Sequence, residues 1–494
     1  MRKKIYTLAT ILLLCPLFAQ AASPLQEKIE TILKDPSLRG ASIAICAQDA
    51  DGNTLAEVNS NRLMVPSSNL KLITTGVALH HFGKNYSFST TLACDSSVRD
   101  SVLRGNLYIL GGADPTLGSS DAIALSEEEL FEKWRRALKA SGIKAIEGKV
   151  IGDGSYIDGM KESPLWQYDD LGTYYGSGVS GLQWHENYIS LKVSPGERVG
   201  DSLRVEFIGP KTPWIRYRME CETGERGSGD QVYLYTNDSH HEAALTGTFA
   251  LGKPTKNLKV SNKFPERTCA YLFSEYLKSR GFKNGGYDAT DKLGGRERPD
   301  QLRDVFHSNS PALKDIVKSC NTESNNVYAE TFLRVLGKEV CSSACYDSCY
   351  VALERELEGL GLMCRDSSGR KVDGLIVDGS GLARQNLISP LFFCQFLRAM
   401  MASPCFRDYL STIPQPGLQG TVKPCLRLLP SAERRRVRMK SGSMTGIRCY
   451  SGYILPKPTA NPGPTLVFSI LINNCTADQY QLRNVTDAII GALL

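Results

Sequence analysis

Three short stretches carry side chains that could do chemistry together. In VPSSNLKLIT (residues 65–74), Ser68 and Lys71 stand three apart. On a helix that spacing puts both on one face. A serine hydroxyl becomes a useful nucleophile when a neighbouring base takes its proton. A lysine amine can be that base if it is neutral, and burial and a helix N-terminus both disfavour the ammonium. Ser67 lies four residues before Lys71, so spacing alone does not exclude it, although Pro66-Ser67 reads better as a helix start with Ser67 as cap. The second stretch is Ser324-Asn325-Asn326, in a loop between two helix-like segments. Its serine could relay a proton, and the Asn326 amide could bind a substrate amide or Lys71. The same triplet could equally cap the helix that follows. The third is Lys440-Ser441-Gly442, on a strand-like segment. A strand lining a cleft offers a backbone N–H to an oxyanion. Lys440 and Ser441 suit a substrate carboxylate, and Gly442 lets a substrate lie close to the strand. The basic run ERRRVRMK (433–440) leads into it and would bias the cleft mouth toward anions.

The elements that must position these residues can be read from periodicity. ASIAICAQDA and TLAEVNS have strand character and are joined by Asp51-Gly52-Asn53, a hairpin turn signal. The helix carrying Lys71 should end near Gly83. From about residue 88 to 300 short strand-like runs dominate, interrupted by two helices, EEELFEKWRRALKASG and ERTCAYLFSEYLKSRG, each ending in Gly. After residue 301 helical periodicity returns. Three strand-like runs, RVRMKSGSM, RCYSGYILP and TLVFSILINN, and a final amphipathic helix close the chain. Strands at both ends with helices between predict one mixed sheet built from both ends, with a β-rich insertion over 88–300.

The chain opens with Arg2, Lys3 and Lys4, an apolar stretch and Ala19-Gln20-Ala21, the pattern of a cleaved secretory signal peptide over residues 1–21. Its apolar run is short for a membrane span and contains Pro16. The formal charge of +6 falls to about +3 without those three cations, too little to argue for nucleic acid. Fourteen of the 15 cysteines remain after cleavage, and an exported protein permits disulfides. Cys341, Cys345 and Cys349 would share one helix face. They lack a fourth ligand at metal spacing, so structural thiols or disulfides are expected there rather than a metal.

Taken in order, S-x-x-K, S-x-N and K-S-G form the motif series of serine β-lactamases and penicillin-binding proteins. Four further stretches resemble the low-molecular-mass class C penicillin-binding proteins, the D-alanyl-D-alanine carboxypeptidase/endopeptidase family. These are YILGGADPTL (108–117), WQYDDLGTYYGSGVSGLQWHENYISL (166–191), DGSGLARQN (378–386) and KSGSMTGIRCYSGYI (440–454). The resemblance spans essentially the whole mature chain. It departs in two places: the family's usual S-D-N is S-N-N here, and its K-T-G is K-S-G. What it implies is an α+β chain. A β-lactamase/transpeptidase-like domain over 22–87 and 301–494, an antiparallel sheet with helices on both faces, would carry an insertion of one or two β-rich domains over 88–300. It makes Ser68 the nucleophile and Ser67 a bystander. Lys71, Ser324, Asn326 and Lys440 would be the other catalytic residues. Ser441 and Gly442 would line the substrate strand. Asp153, Arg384, Met444 and Thr445 would bind the diaminopimelate side chain of a stem peptide. No metal or organic cofactor is implied. Peptidoglycan stem peptides are the expected substrates and β-lactams the expected inhibitors, with the periplasm as location. Peripheral membrane association and self-association are both compatible with this reading. A β-lactamase or related serine esterase on the same fold is the alternative, and a wall-binding protein without activity is a more distant one.

Overall fold

The structure, a computed structural model, describes residues 23–291, 298–362, 365, 368–369, 374–458 and 465–494. The expected signal peptide lies outside the described residues. Five strands from the two ends of the chain form one sheet, in the order Val437–Met444, Ile447–Ile454, Leu466–Asn473, Ser42–Gln48, Thr54–Val58. Every pairing is antiparallel, as the resemblance implied and not mixed as the pattern suggested. Consecutive strands joined by short connections pair this way, and the long-range pairing of the first strand with the last, Ser42 opposite Asn473, follows the same sense. At the Asp51-Gly52-Asn53 turn the Asp49 carboxylate accepts the N–H groups of Asp51 (3.0 Å) and Asn53 (2.9 Å).

The strands alternate their side chains between two cores. Ala44, Cys46, Cys449, Tyr453 and Leu471 pack with the helices Lys71–Phe82, Asn326–Cys341 and Pro390–Ala402. Ile45, Ala47, Met439, Tyr450 and Ile470 pack with the terminal helices Pro24–Ile32 and Gln479–Leu493. Helices therefore cover both faces, which is why TLVFSILINN reads as a continuous apolar run rather than an alternating one. Each fully buried Ile or Leu contributes roughly 1.5–3 kcal/mol, so the sheet is a firm base for what its edge carries.

The inserted region has two cores of its own. One gathers Phe131, Trp134, Trp184 and Phe273 beneath the helices Glu127–Ala140 and Pro265–Ser279, with Phe131 stacked on Trp184 at 4.9 Å. The other joins Ile189, Leu191, Leu245 and Phe249 between two three-stranded sheets. The strand Arg303–Asn309 pairs with Ser89–Cys94 at the edge of the insertion's five-stranded sheet. The insertion thus runs past residue 301 and returns to the helical layer with Leu313–Glu323.

The cysteine triplet does not share a helix face. The helix Asn326–Cys341 stops at Ser342, whose φ is +59°, and a new helix begins at Tyr346. All 13 cysteines among the described residues are free thiols, most of them buried, so the packing they supply is that of small apolar side chains.

Candidate active site

Ser67–Leu70 form a 3-10 turn that runs straight into the helix Lys71–Phe82. Ser67 is not a cap. Its φ is +49°, Pro66 occupies the cap position, and no side chain caps the turn. The turn is held from outside instead. A Cβ on Gly381 would fall 2.0 Å from the Ser67 carbonyl oxygen, and one on Gly442 would fall 2.6 Å from that of Pro66. The need for glycine at 442 is therefore set by the Ser67–Leu70 turn packed on the strand, not by a substrate alone.

Lys71 is completely buried, while Ser68 keeps one side toward solvent. The Lys71 Nζ lies 3.0 Å from Ser68 Oγ, 2.7 Å from Asn326 Oδ1 and 2.7 Å from the Ser380 carbonyl oxygen. An amine has two N–H groups and one lone pair. Asn326 and Ser380 can accept both N–H groups of the neutral form, which leaves the lone pair for the Ser68 hydroxyl. Burial drives the Lys71 pKa down to about 8, against the pull of nearby acidic groups that include Asp378 and Glu330. Lys440 is also buried and its pKa is held well below the usual lysine value by burial and then by Lys71. Its Nζ donates to Ser324 Oγ at 2.8 Å and to the Ser441 carbonyl at 2.9 Å. Ser324 itself sits in the left-handed region (φ +62°) as the cap that ends the helix Leu313–Glu323. Asn325, not Ser324, caps the next helix: its Oδ1 accepts the Tyr328 N–H at 3.1 Å. Two serine–lysine pairs thus face each other across Asn326.

A base must be neutral to act, so the rate of acylation is expected to rise about tenfold per pH unit below about 8 and to level off above it. Glu330 raises the Lys71 pKa, so Glu330→Gln should move this profile to lower pH. Acylation rates of a chromogenic β-lactam between pH 5.5 and 9.5 check both statements. A profile that does not move in Glu330→Gln would mean its charge is not felt at Lys71.

The strand Val437–Met444 forms the sheet edge beside Ser68. Met439 N–H points outward, to the Pro414 carbonyl at 3.1 Å. By strand alternation the N–H groups of Ser441 and Ser443 lie along the same outer edge. Ser441 Oγ donates to Thr421 Oγ1 at 2.8 Å, which places a second hydroxyl beside that of Ser441. Of the basic run, Lys440 is the member that meets the Ser324–Asn326 stretch. Arg436 is held by Glu433 and by the carbonyls of Leu455 and Leu494, and Arg435 and Arg438 by Ser431 and local carbonyls.

Three of the four residues expected around the substrate side chain come together. Arg384 Nη2 lies 3.4 Å from the Thr445 carbonyl oxygen, and Nε donates to Gln167 Oε1 at 2.9 Å. Met444 packs on a small cluster that includes Trp166 and Leu382. Asp153 is buried, and its carboxylate accepts from Thr290 Oγ1 at 2.7 Å and Ser155 N at 3.0 Å, with Arg298 Nη1 at 3.5 Å. Among the described residues none of its hydrogen bonds or ion pairs runs to Arg384, Met444 or Thr445.

Sequence reasoning missed the supports of this site. Asp378 accepts the N–H groups of Gly381 (2.8 Å) and Ala383 (2.6 Å), the Asn386 amide (2.8 Å) and the Trp166 indole (3.0 Å). Glu330 Oε1 accepts the N–H groups of Gly379 (3.0 Å) and Ser380 (2.7 Å). Two buried acids therefore fold the Gly379–Ala383 loop so that the Ser380 carbonyl meets Lys71. Asp378 lies in a stretch already singled out. Glu330 and Thr421 carried no local signal, because one is a lone acid on an apolar helix and the other a lone threonine in a loop.

A hydroxyl beside a buried lysine of lowered pKa, an outward backbone N–H on a neighbouring strand and a second serine–lysine pair define a serine hydrolase of the acyl-enzyme type. The family model for D-Ala-D-Ala carboxypeptidase 3 (S13) matches residues 25–493. The chain belongs to that family of serine peptidases. It is 28% identical over 484 residues to a D-alanyl-D-alanine carboxypeptidase of Actinomadura sp. (strain R39), covering 94% of this chain and 84% of that protein. It is 25% identical over 448 residues to penicillin-sensitive carboxypeptidase A of Dictyostelium discoideum, covering 88% and 82%. Its fold is similar to the crystal structure of penicillin binding protein 4 from Haemophilus influenzae, with a TM-score of 0.79 at 18% identity over 94% of this chain and 99% of that one.

Proposed function

We propose that the chain is an exported serine DD-peptidase of peptidoglycan, with Ser68 as nucleophile and Lys71 as base. The observation that carries this reading is the 3.0 Å contact between Ser68 Oγ and the buried Lys71 Nζ. Ser68 Oγ attacks the carbonyl of the penultimate D-alanine and passes its proton to Lys71. Backbone N–H groups of Ser68 and Ser443 receive the oxyanion. Ser324 protonates the leaving amine and is reprotonated from Lys440. Water then releases the peptide and returns Ser68. D-Ala-D-Ala ends are the carboxypeptidase substrate, and D-Ala-diaminopimelate crosslinks the endopeptidase substrate. β-Lactams present the same amide beside a carboxylate and acylate Ser68. Residues 1–21 act as a leader to the periplasm, 22–87 and about 310–494 as the peptidase domain, and the stretch between as the inserted domains. No helix among the described residues is long and apolar enough to cross a membrane.

Incubation with purified muropeptides and mass analysis of the products tests the reading. Release of D-alanine or resolution of crosslinked dimers supports it. Rapid turnover of penicillin, with neither product, would assign the chain to the β-lactamase alternative.

Arg384, Thr445 and Met444 form the pocket for the free end of diaminopimelate, with Asp153, which among the described residues bonds to none of the three, as its acidic member. Arg384 and Thr445 take its carboxylate and Met444 its methylenes. Its amine replaces Arg298 as the cationic partner of Asp153. Arg384→Ala and Asp153→Ala are each expected to lower turnover of diaminopimelate-ended peptides by about 1.5–4 kcal/mol, one to several powers of ten. Acylation by a small penicillin, which lacks that side chain, should stay within about threefold. Equal losses on both substrates would remove the pocket.

A further inference from the structure

The residue between Ser324 and Asn326 is aspartate in the motif this chain resembles and Asn325 here. The structure supplies a reason. Asn325 makes two contacts of opposite kind. Its Oδ1 accepts the Tyr328 N–H at 3.1 Å and caps the helix Asn326–Cys341. Its Nδ2 donates to Glu186 Oε2 at 2.7 Å. An aspartate would serve the first contact as well as an asparagine, since both are good caps and the helix dipole favours the acid. It would fail the second, because two carboxylates at that distance cannot both be ionised.

Glu186 comes from the inserted region, and its delivery is unusual. His185, Glu186 and Asn187 have φ values of +53°, +51° and +56°. Three consecutive non-glycine residues in the left-handed region are costly and persist only where the surroundings hold them. They are held here: His185 N–H donates to the Leu117 carbonyl at 2.8 Å, and the Asn187 amide to the Gly178 carbonyl at 3.0 Å and Gln183 Oε1 at 3.0 Å. The other Glu186 oxygen accepts from Ser119 Oγ at 2.7 Å. The carboxylate is thus fixed from one domain and aimed at the middle of a catalytic triplet in another.

We propose that Glu186 is a positioning residue for the Ser324–Asn326 loop, acting through the Asn325 amide, and that this contact is what requires asparagine rather than aspartate at 325. The proposal rests on the peptidase reading above for the roles of Ser324 and Asn326. Among the described residues the Glu186 carboxylate hydrogen-bonds to Asn325 and Ser119, not to Ser68, Lys71, Ser324, Asn326 or Lys440. It holds the loop whose two ends meet Lys440 and Lys71.

The test is a pair exchange. Asn325→Asp, which restores the S-D-N form of the motif, is expected to lower the rate of penicillin acylation about 10- to 100-fold at pH 8, as one charge-assisted contact turns repulsive. Adding Glu186→Gln to Asn325→Asp should restore acylation at pH 8 to within about threefold of wild type, because the Gln amide can donate to the new carboxylate. Thermal unfolding of the wild type, both single variants and the double variant gives the coupling without using activity. That coupling should be favourable in the double variant even if Ser68 is not the nucleophile. If Asn325→Asp does not fold, recovery of a folded, penicillin-reactive double variant supports the proposal. A double variant no better than Asn325→Asp, or an Asn325→Asp enzyme equal to wild type at pH 8, overturns it. Failure of penicillin to label the wild-type protein would count against the peptidase reading instead.

Discussion

Ser68→Ala is expected to lose covalent labelling by penicillin entirely, while Ser67→Ala keeps most of it. The two hydroxyls are adjacent in sequence and differ in what surrounds them. Ser68 is partly exposed and 3.0 Å from the Lys71 amine. Ser67 is 2% exposed, with a left-handed backbone whose carbonyl lies under Gly381. Loss of a serine nucleophile costs on the order of 10⁶ in turnover in other serine hydrolases, so residual labelling of Ser68→Ala should fall below detection. Gel fluorescence with a labelled penicillin and mass mapping of the acylated peptide measure this. Labelling that survives Ser68→Ala and vanishes in Ser67→Ala would reverse the assignment. Ser67→Ala is expected to unfold at nearly the wild-type temperature, because alanine pays the same backbone penalty as serine at that φ.

Lys71→Arg should be nearly inactive although the formal charge is kept. A guanidinium stays protonated in proteins and cannot accept the Ser68 proton. The loss of a general base corresponds to about 10²–10⁴-fold in the acylation rate. The change also strains the site. The amine sits among Ser68 Oγ, Asn326 Oδ1 and the Ser380 carbonyl, with no exposed surface, and a planar five-donor group has too few acceptors there. Circular dichroism and thermal unfolding should accompany the kinetics. Acylation near the wild-type rate in a folded Lys71→Arg protein would mean that another group takes the proton.

What the chain determines by itself is what lies within a few residues. The three-residue spacing of Ser68 and Lys71 is a property of helical geometry, so it could be read directly. The hairpin at Asp51-Gly52-Asn53, the stop at Gly83 and the two-ended origin of the sheet are also local in cause, since turn chemistry and periodicity specify them. The antiparallel sense of the sheet was less legible, because it depends on which distant strands meet. Tertiary structure alone decided the rest. Lys71 reaches Asn326 across 255 residues of sequence, and Lys440 reaches Ser324 across 116. No spacing rule connects such positions. Ser67 could not be read as a clamped, left-handed residue, since the pressure comes from Gly381 and Gly442 far along the chain. Glu330 is a lone acid on a helix until the Gly379–Ala383 loop folds over it, and Glu186 is one charge in a loop until it meets Asn325. Local geometry acts through bonds and is written in neighbouring residues. The pKa of Lys71 comes from burial and from charges that distant segments bring to it, and those exist only once the chain has folded.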